Sequence, residues 1–123
     1  EFISDRLLKV TLELCGRARA VTFVVGYAPK DTQSVGEKHA FWTALERVVK
    51  EVPEQEQLFV LMDAKDANAR TGSRGGWKLG SEECKVLGAY DRDTLNDDDE
   101  RLLSFSANHW LALLNTYFVA RVV

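Results

Sequence analysis

Residues 58–70 read LFVLMDAKDANAR, an apolar run that ends abruptly in acidic and amide side chains. An apolar run of this length, bounded by polar residues, predicts a buried strand. In extended backbone, Asp66 and Asn68 lie two residues apart, so their side chains project to the same face and can converge on one ligand. Carboxylate and amide oxygens prefer Mg²⁺, Mn²⁺ or Ca²⁺ to zinc. The segment therefore indicates a cation site at a strand end, and the alternative interpretation is an Asx-rich turn, since Asp and Asn are common after strands.

Two strands and a helix are predicted upstream of this segment. Alternating apolar and polar residues over 8–14 predict a strand with one wet face, and nearly continuous apolarity over 20–27 predicts a strand covered on both sides. The two strands are expected to pair as an antiparallel hairpin. Ser34 and Glu37 have the spacing of a capping box, which predicts the start of a helix over 35–51.

A glycine-rich loop, a second helix and a last strand are predicted downstream. Residues 70–79 contain three glycines, which is typical of a loop. Apolar residues at helical spacing predict a helix over 98–108, and residues 111–118 predict a strand. These elements predict an α/β (α+β) fold with a mixed sheet and two main helices, formed by residues 1–123 as a single domain.

Composition excludes several classes of protein. With 46% apolar residues the chain has enough apolar side chains for a core, so it is expected to be globular and not disordered. A net charge of -3 provides no global attraction for nucleic acid, so DNA binding would need a local basic patch. Cys15 and Cys84 have no second Cys or His at metal-binding spacing, which argues against a zinc site. No run approaches the ~20 apolar residues of a membrane span, so an intracellular chain, nuclear or cytoplasmic, is expected.

Motifs spread along the chain are similar to those of one known family. They include a Tyr-x-Pro motif after one predicted strand, an Asp-x-Asn-Ala motif after another, and an Asn-Asp motif before the second helix. The chain resembles the endonuclease/exonuclease/phosphatase superfamily, and within it the endonuclease domain of non-LTR retrotransposon polyproteins. The motifs that carry this resemblance are Gly26-Tyr27-Ala28-Pro29, Phe41-Trp42, Asp66-Ala67-Asn68-Ala69-Arg70-Thr71-Gly72, Leu95-Asn96-Asp97 with Glu100 to Phe105, and Leu113 to Phe118.

The resemblance implies a four-layer α/β sandwich, present here only in part, and phosphodiester hydrolysis of DNA that depends on Mg²⁺ or Mn²⁺. In the family, the strand-end Asp and Asn bind the attacking water, the scissile phosphate and the metal, which assigns those roles to Asp66 and Asn68. Tyr27 matches the family tyrosine whose hydroxyl approaches the scissile phosphate and stabilises charge as it develops. Without the resemblance, Tyr27 is an ordinary tyrosine at a sheet edge.

Asp63 is the alternative position for the motif aspartate. If the strand ends at Met62, Asp63 takes the first position after it, and residues 65–67 form an insertion. Asp66 preserves the spacing to Asn68. Both aspartates are therefore kept as candidate metal ligands, with Asp66 preferred.

Three further residues are candidates for contact with DNA. Asn96 matches a family asparagine, although the family's Asn-Asp-Asn-Gly-type stretch reads Asn-Asp-Asp-Asp at 96–99. The added negative charge should weaken DNA binding. Arg70 and Arg74, with Lys78, form the basic cluster near the proposed site, and a solvated loop is the alternative interpretation of these cations.

The resemblance covers only about the middle half of a complete family domain. The family's upstream metal-binding Glu with its companion Asn, and its downstream Ser-Asp-His motif, have no counterpart here, so an endonuclease fragment without activity in isolation is expected. Trp110 stands where retrotransposon relatives usually have a Gly after the helix, which is costly if the backbone needs a positive φ. The alternative is a non-catalytic, retroelement-derived module recruited for partner binding, because a truncated sandwich leaves sheet edges and inner faces uncovered. Self-association through the uncovered sheet edges is then expected.

Overall fold

The computed structural model describes residues 1–13, 15–16, 19–30, 32–63 and 97–114, with only the backbone at 97–99. The chain divides into two compact units, Glu1–Ala67 and Asn68–Val123. The single domain predicted for residues 1–123 stays a prediction. The described elements are, in the first unit, β1 (Phe2–Ser4), β2 (Leu7–Leu12), β3 (Val21–Tyr27), α1 (Val35–Lys50) and β4 (Gln57–Asp63), and in the second unit α2 (Asp97–Asn108).

The strands of the first unit form one mixed sheet in the order β1-β2-β3-β4. The predicted hairpin is confirmed, because β2 and β3 pair antiparallel from Leu7 opposite Gly26 to Leu12 opposite Val21. β3 and β4 are parallel. A parallel pair needs a crossover connection, and α1 supplies it. The mixed α/β class predicted from the sequence is therefore present in the described part of the chain.

Local signals in the sequence fix the start of α1. Ser34 is the N-cap, its hydroxyl accepts a hydrogen bond from the Glu37 amide at 3.2 Å, and its own amide donates to Glu37 Oε2 at 3.0 Å. This is the predicted capping box. The hydrogen bond from the Ser34 hydroxyl to the carboxylate holds the pKa of Glu37 below its ordinary value. The helix ends at Lys50, one residue before the predicted end.

The core of the first unit lies between α1 and one face of the sheet. Val24 and Gly26 of β3 are buried on this face. A Cβ built on Gly26 would lie 3.3 Å from Leu7 Cδ2 and 3.4 Å from Phe41 Cζ, so α1 packs close to β3 at a residue that has no side chain. The buried side chains of α1 are Phe41, Trp42, Leu45, Val48 and Val49.

The other face of the sheet is apolar and exposed, which contradicts the predicted burial pattern of β2. Leu8, Val10 and Leu12 are 40%, 36% and 45% exposed, although their alternation predicted the covered face of this strand. The Lys9 side chain, expected on the wet face, is only 18% exposed. The alternation identifies which residues share a face, but the space above Gly26 decides which face receives α1.

The prediction that residues 20–27 are covered on both sides is also wrong, and so is the prediction that the strand over 58–62 is buried, because no residue of β4 is buried. Val25 and Tyr27 are about two-fifths exposed, and they lie on the same face as Leu8 because Val25 is the register partner of Leu8. The face that carries these residues is called the open face below. Its exposed large apolar residues are Phe2, Leu8, Val10, Leu12, Val25, Tyr27, Phe59 and Leu61.

In the second unit, α2 begins one residue before the predicted helix and ends at Asn108 as predicted. The Trp110 amide donates to the Ala107 carbonyl at 3.2 Å, and the Leu111 amide donates to the Ser106 carbonyl at 2.8 Å. These two bonds form a Schellman motif, which requires a left-handed residue at the position of Trp110. Trp110 has φ 56°, so a bulky residue occupies the place of the usual glycine.

The strand predicted over 111–118 does not begin at Leu111. The Leu111 amide is used by the helix end, and within 111–114 only Leu113 takes part in a single bridge. Residues 115–118 lie outside the described residues. None of the helices in the described ranges combines the length and the apolar composition that a membrane crossing requires.

Candidate functional site

A shallow, open depression of about 830 Å³, called the cleft below, lies where β3 and β4 reach their carboxyl ends in the first unit. In α/β sheets, ligands bind outside the carboxyl ends of parallel strands. The apolar part of its wall includes Leu8, Val25 and Leu61 of the open face, and Leu7 and Met62 of the opposite face. Its polar wall consists of Ser4, Asp5, Arg6, Tyr27 and Asp63.

Tyr27 and Asp63 occupy matched positions at this end of the sheet. They are the last residues of β3 and β4 and are register partners in the parallel ladder. The Ala28 amide donates to the Asp63 carbonyl at 3.3 Å and holds the two strand ends together. Because neighbouring strands lie about 4.8 Å apart and paired residues share a face, the phenol and the carboxylate both project from the open face.

Arg6 brings a positive charge to the same cleft. Its guanidinium carbon lies 5.6 Å from the centre of the Tyr27 ring. One guanidinium nitrogen donates to the Tyr27 carbonyl at 3.5 Å, and the other donates to Gln33 Oε1 at 3.0 Å. The cation therefore lies over the ring in the geometry of a cation–π interaction and restricts the ring's orientation.

The structure describes two of the site residues predicted from the sequence, and it brings these two together. They are Tyr27 and Asp63. The strand extends through Asp63 and does not end at Met62, as the insertion hypothesis had assumed. The remaining predicted residues lie outside the described residues: Asp66, Asn68, Arg70, Arg74 and Asn96.

The sequence did not single out Ser4, Asp5 and Arg6. Asp5 and Arg6 form the tight connection between β1 and β2, in which the Arg6 amide donates to Ser4 Oγ at 3.3 Å. The signal was present, because Ser and Asp between two apolar pairs have the composition of a turn. A hairpin at the start of the chain would have placed Arg6 at the sheet end that Tyr27 occupies.

The cleft has the carboxylates that a magnesium ion uses. Asp5 and Asp63 both line it, although no cluster of three or more potential metal ligands occurs among the described residues. Mg²⁺ usually keeps several waters and binds through one or two carboxylates together with substrate phosphates. A Mg²⁺ or Mn²⁺ ion here would therefore depend on one or two carboxylates together with a bound phosphate.

No family model, curated protein or solved structure matches this chain.

Proposed function

We propose that the chain is part of a divalent-metal-dependent phosphodiesterase domain, of the endonuclease type found in non-LTR retrotransposons. The pairing of Tyr27 with Asp63 carries this proposal. A phenol and a carboxylate in register at the ends of adjacent parallel strands, inside a cleft, suit a phosphate and an attacking water. In this proposal the described sheet and α1 are two layers of a partial four-layer α/β sandwich.

Each polar group of the cleft has a role in this chemistry. The Tyr27 hydroxyl donates a hydrogen bond to a phosphate oxygen and stabilises the charge that develops there. Arg6 orients the ring and adds positive potential beside it. Asp63 orients the attacking water and accepts its proton. Asp63 and Asp5 would hold a Mg²⁺ or Mn²⁺ ion, which would polarise the phosphate.

Asp63 is the register partner of Tyr27, so we favour Asp63 over Asp66 as the metal ligand. Asp66 remains the alternative, with Asn68 as its partner on the phosphate. Arg70, Arg74 and Asn96 remain the proposed DNA contacts, opposed by the acidic run that follows Asn96. The chain lacks counterparts of the family's upstream Glu and downstream Ser-Asp-His, so we expect DNA binding to be weak and turnover to be absent.

Calorimetric titration with Mn²⁺ and Mg²⁺ tests the metal site. We expect saturable binding at millimolar metal, abolished by Asp63→Asn and retained in Asp66→Asn. Glu54→Gln is the matched control, because Glu54 is exposed in the connection that precedes β4, away from the strand end that carries Asp63. Loss in Asp66→Asn but not in Asp63→Asn would move the ligand to Asp66. Absence of saturable binding in the unmodified chain would refute the metal site.

The open face favours a second candidate function, a non-catalytic interaction module of retroelement origin. Exposed apolar side chains on all four strands are costly in water unless another surface covers them. An interaction module would keep the sheet and α1 while losing metal binding. The same titration separates the two functions, because a module without the enzyme's chemistry gives no saturable heat in any variant.

A further inference from the structure

Gln33 lies directly before Ser34, the N-cap of α1, and its side chain is hydrogen-bonded at both ends. The carbonyl oxygen Oε1 accepts from the Lys30 amide at 2.8 Å and from Arg6 Nη2 at 3.0 Å. The amide nitrogen Nε2 donates to Glu37 Oε1 at 3.4 Å. Two donors at one oxygen fix the orientation of the side chain, because the reverse orientation would place an NH₂ group against two N–H groups.

The Gln33 side chain is anchored independently of Arg6. The Gln33 backbone amide donates to the Lys30 carbonyl at 3.0 Å, so both the backbone and the side chain of Gln33 are bonded to Lys30. At the other end, Glu37 belongs to the capping box of α1, where its second oxygen accepts from the Ser34 amide at 3.0 Å. The Oε1 atom of Gln33 is therefore a fixed acceptor, held by the start of α1 and by the segment that precedes it.

The Arg6 guanidinium has two acceptors among the described residues, and Gln33 is the nearer one. A separation of 3.5 Å from the Tyr27 carbonyl is long for an N–H···O bond, whereas 3.0 Å to Gln33 Oε1 is ordinary. An arginine side chain has many rotamers, so a single long contact would leave it free to exchange among them. The bond to Gln33 therefore decides whether the guanidinium carbon stays 5.6 Å from the centre of the Tyr27 ring.

We propose that Gln33 is a positioning residue of the cleft: it holds the Arg6 guanidinium over Tyr27, where Arg6 and the Tyr27 hydroxyl bind one phosphate group together. Arg6 lines the cleft and Gln33 does not, so Gln33 acts through Arg6 and touches no ligand itself. The guanidinium has further N–H groups besides those bonded to Gln33 and the Tyr27 carbonyl, and it suits the geometry of a phosphate. The inference rests on the phosphodiesterase proposal for the identity of the ligand.

Holding Arg6 in place before the ligand arrives should raise affinity. A flexible side chain that must be ordered on binding lowers affinity by about three- to tenfold. Gln33 removes this loss, because Arg6 already has its bound position in the free chain. A substitution at Gln33 should therefore weaken phosphate binding although it removes no group that contacts the phosphate.

The NMR chemical shift of Arg6 Hε tests the position of the guanidinium. A proton above an aromatic ring is shifted upfield, and Tyr27→Leu gives the reference value without the ring. We expect Gln33→Met, which keeps the length of the side chain but removes its acceptor and its donor, to lose most of this upfield shift. Gln55→Met is the matched control, because Gln55 is exposed in the connection before β4 and does not line the cleft. A folded Gln33→Met chain that keeps the shift would overturn the inference.

Titration with inorganic phosphate in the presence of Mg²⁺, followed by NMR, tests the effect on the ligand. We expect the dissociation constant to rise about three- to tenfold in Gln33→Met and to stay unchanged in Gln55→Met. Equal phosphate affinity in Gln33→Met and the unmodified chain would overturn the inference, and so would an unmodified chain that does not bind phosphate.

The double variant Gln33→Glu, Glu37→Gln provides a second test should Gln33→Met fail to fold, as judged by circular dichroism. It exchanges the amide and the carboxylate, so an acceptor still faces Arg6 and a donor still lies between the two side chains. The Arg6 shift should be retained, and its loss in the folded double variant would overturn the inference.

The calorimetric metal titration keeps the two proposals separate. Saturable metal binding together with a phosphate affinity that does not depend on Gln33 refutes only the positioning role. A phosphate site that depends on Gln33 in a chain without saturable metal binding supports the positioning role and refutes only the phosphodiesterase.

Discussion

Gly26 of β3 lies directly against the ring of Phe41 in α1, so a methyl group at Gly26 would fit only if its neighbours moved by a few tenths of an ångström. A Cβ at Gly26 would lie 3.4 Å from Phe41 Cζ and 3.3 Å from Leu7 Cδ2, both of which belong to buried side chains. We therefore expect Gly26→Ala to lower the free energy of unfolding by about 1–3 kcal/mol, the usual cost of overpacking a core. Urea denaturation followed by circular dichroism measures this change.

Gly36→Ala is the matched comparison for the same substitution in open space. A Cβ at Gly36 has only Ser34 Oγ within reach, at 4.0 Å, and Gly36 is a helical residue. Alanine should raise the free energy of unfolding by up to about 1 kcal/mol, because glycine is the poorer helix former. Equal effects at the two positions would show that α1 does not pack on Gly26 as described.

The capping carboxylate of α1 should make stability depend on pH. Hydrogen bonds from Ser34 lower the pKa of Glu37 from its ordinary value of 4.5. A depressed pKa in the folded state stabilises the fold above the ordinary value, and this contribution disappears as the pH falls through the folded pKa. We expect Glu37→Gln to lose stability less steeply than the unmodified chain as the pH is lowered from above 4.5. Urea midpoints of the two chains, measured across that pH range, provide the test. If both fall with the same slope as the pH is lowered, Glu37 does not contribute to the pH dependence of stability.

Short-range signals were enough to predict most of the first unit. The capping box at Ser34 and Glu37 fixed the start of α1, and alternation with β-branched residues located β2 and β3. β1 was missed because three residues are too short to show a period. The exposed side of β2 was predicted wrongly, because which face is covered depends on a long-range contact between Gly26 and Phe41.

The candidate site was predictable only in part, for the same physical reason. Tyr27 and Asp63 could each be placed at a strand end from local sequence. Their register depends on the parallel pairing that α1 makes possible, and no local pattern encodes it. Arg6 reaches Tyr27 across 21 residues of sequence, so its role became visible only in the folded chain.

Trp110 should be a point of backbone strain that a single substitution relieves. It occupies the left-handed position of the Schellman motif with φ 56°, and its side chain is 86% exposed. A left-handed conformation costs a residue with a side chain roughly 1–2 kcal/mol, which glycine avoids. We expect Trp110→Gly to raise the free energy of unfolding by about 1 kcal/mol, measured by urea denaturation.

Trp110→Ala separates strain from loss of the ring. Alanine removes the indole but keeps a Cβ at the left-handed position, so it should give little of the gain. Equal stabilisation by Ala and Gly would mean that the indole itself is unfavourable and that backbone strain contributes nothing.

The purified chain should not nick supercoiled plasmid in Mg²⁺ above the level of an Asp66→Ala, Asn68→Ala double variant or of Asp63→Ala. The groups available are a phenol, one or two carboxylates and an amide, and a hard cation held by so few ligands stays mostly water-bound. The net charge of -3 and the acidic residues at 97–100 further oppose the approach of DNA at physiological salt.

Agarose electrophoresis, which separates relaxed from supercoiled plasmid, measures the nicking rate. Nicking that persists through repurification and disappears in the double variant, or in Asp63→Ala, would show that the chain assembles a working site from its own residues. The double variant and Asp63→Ala would then identify which carboxylate serves that site.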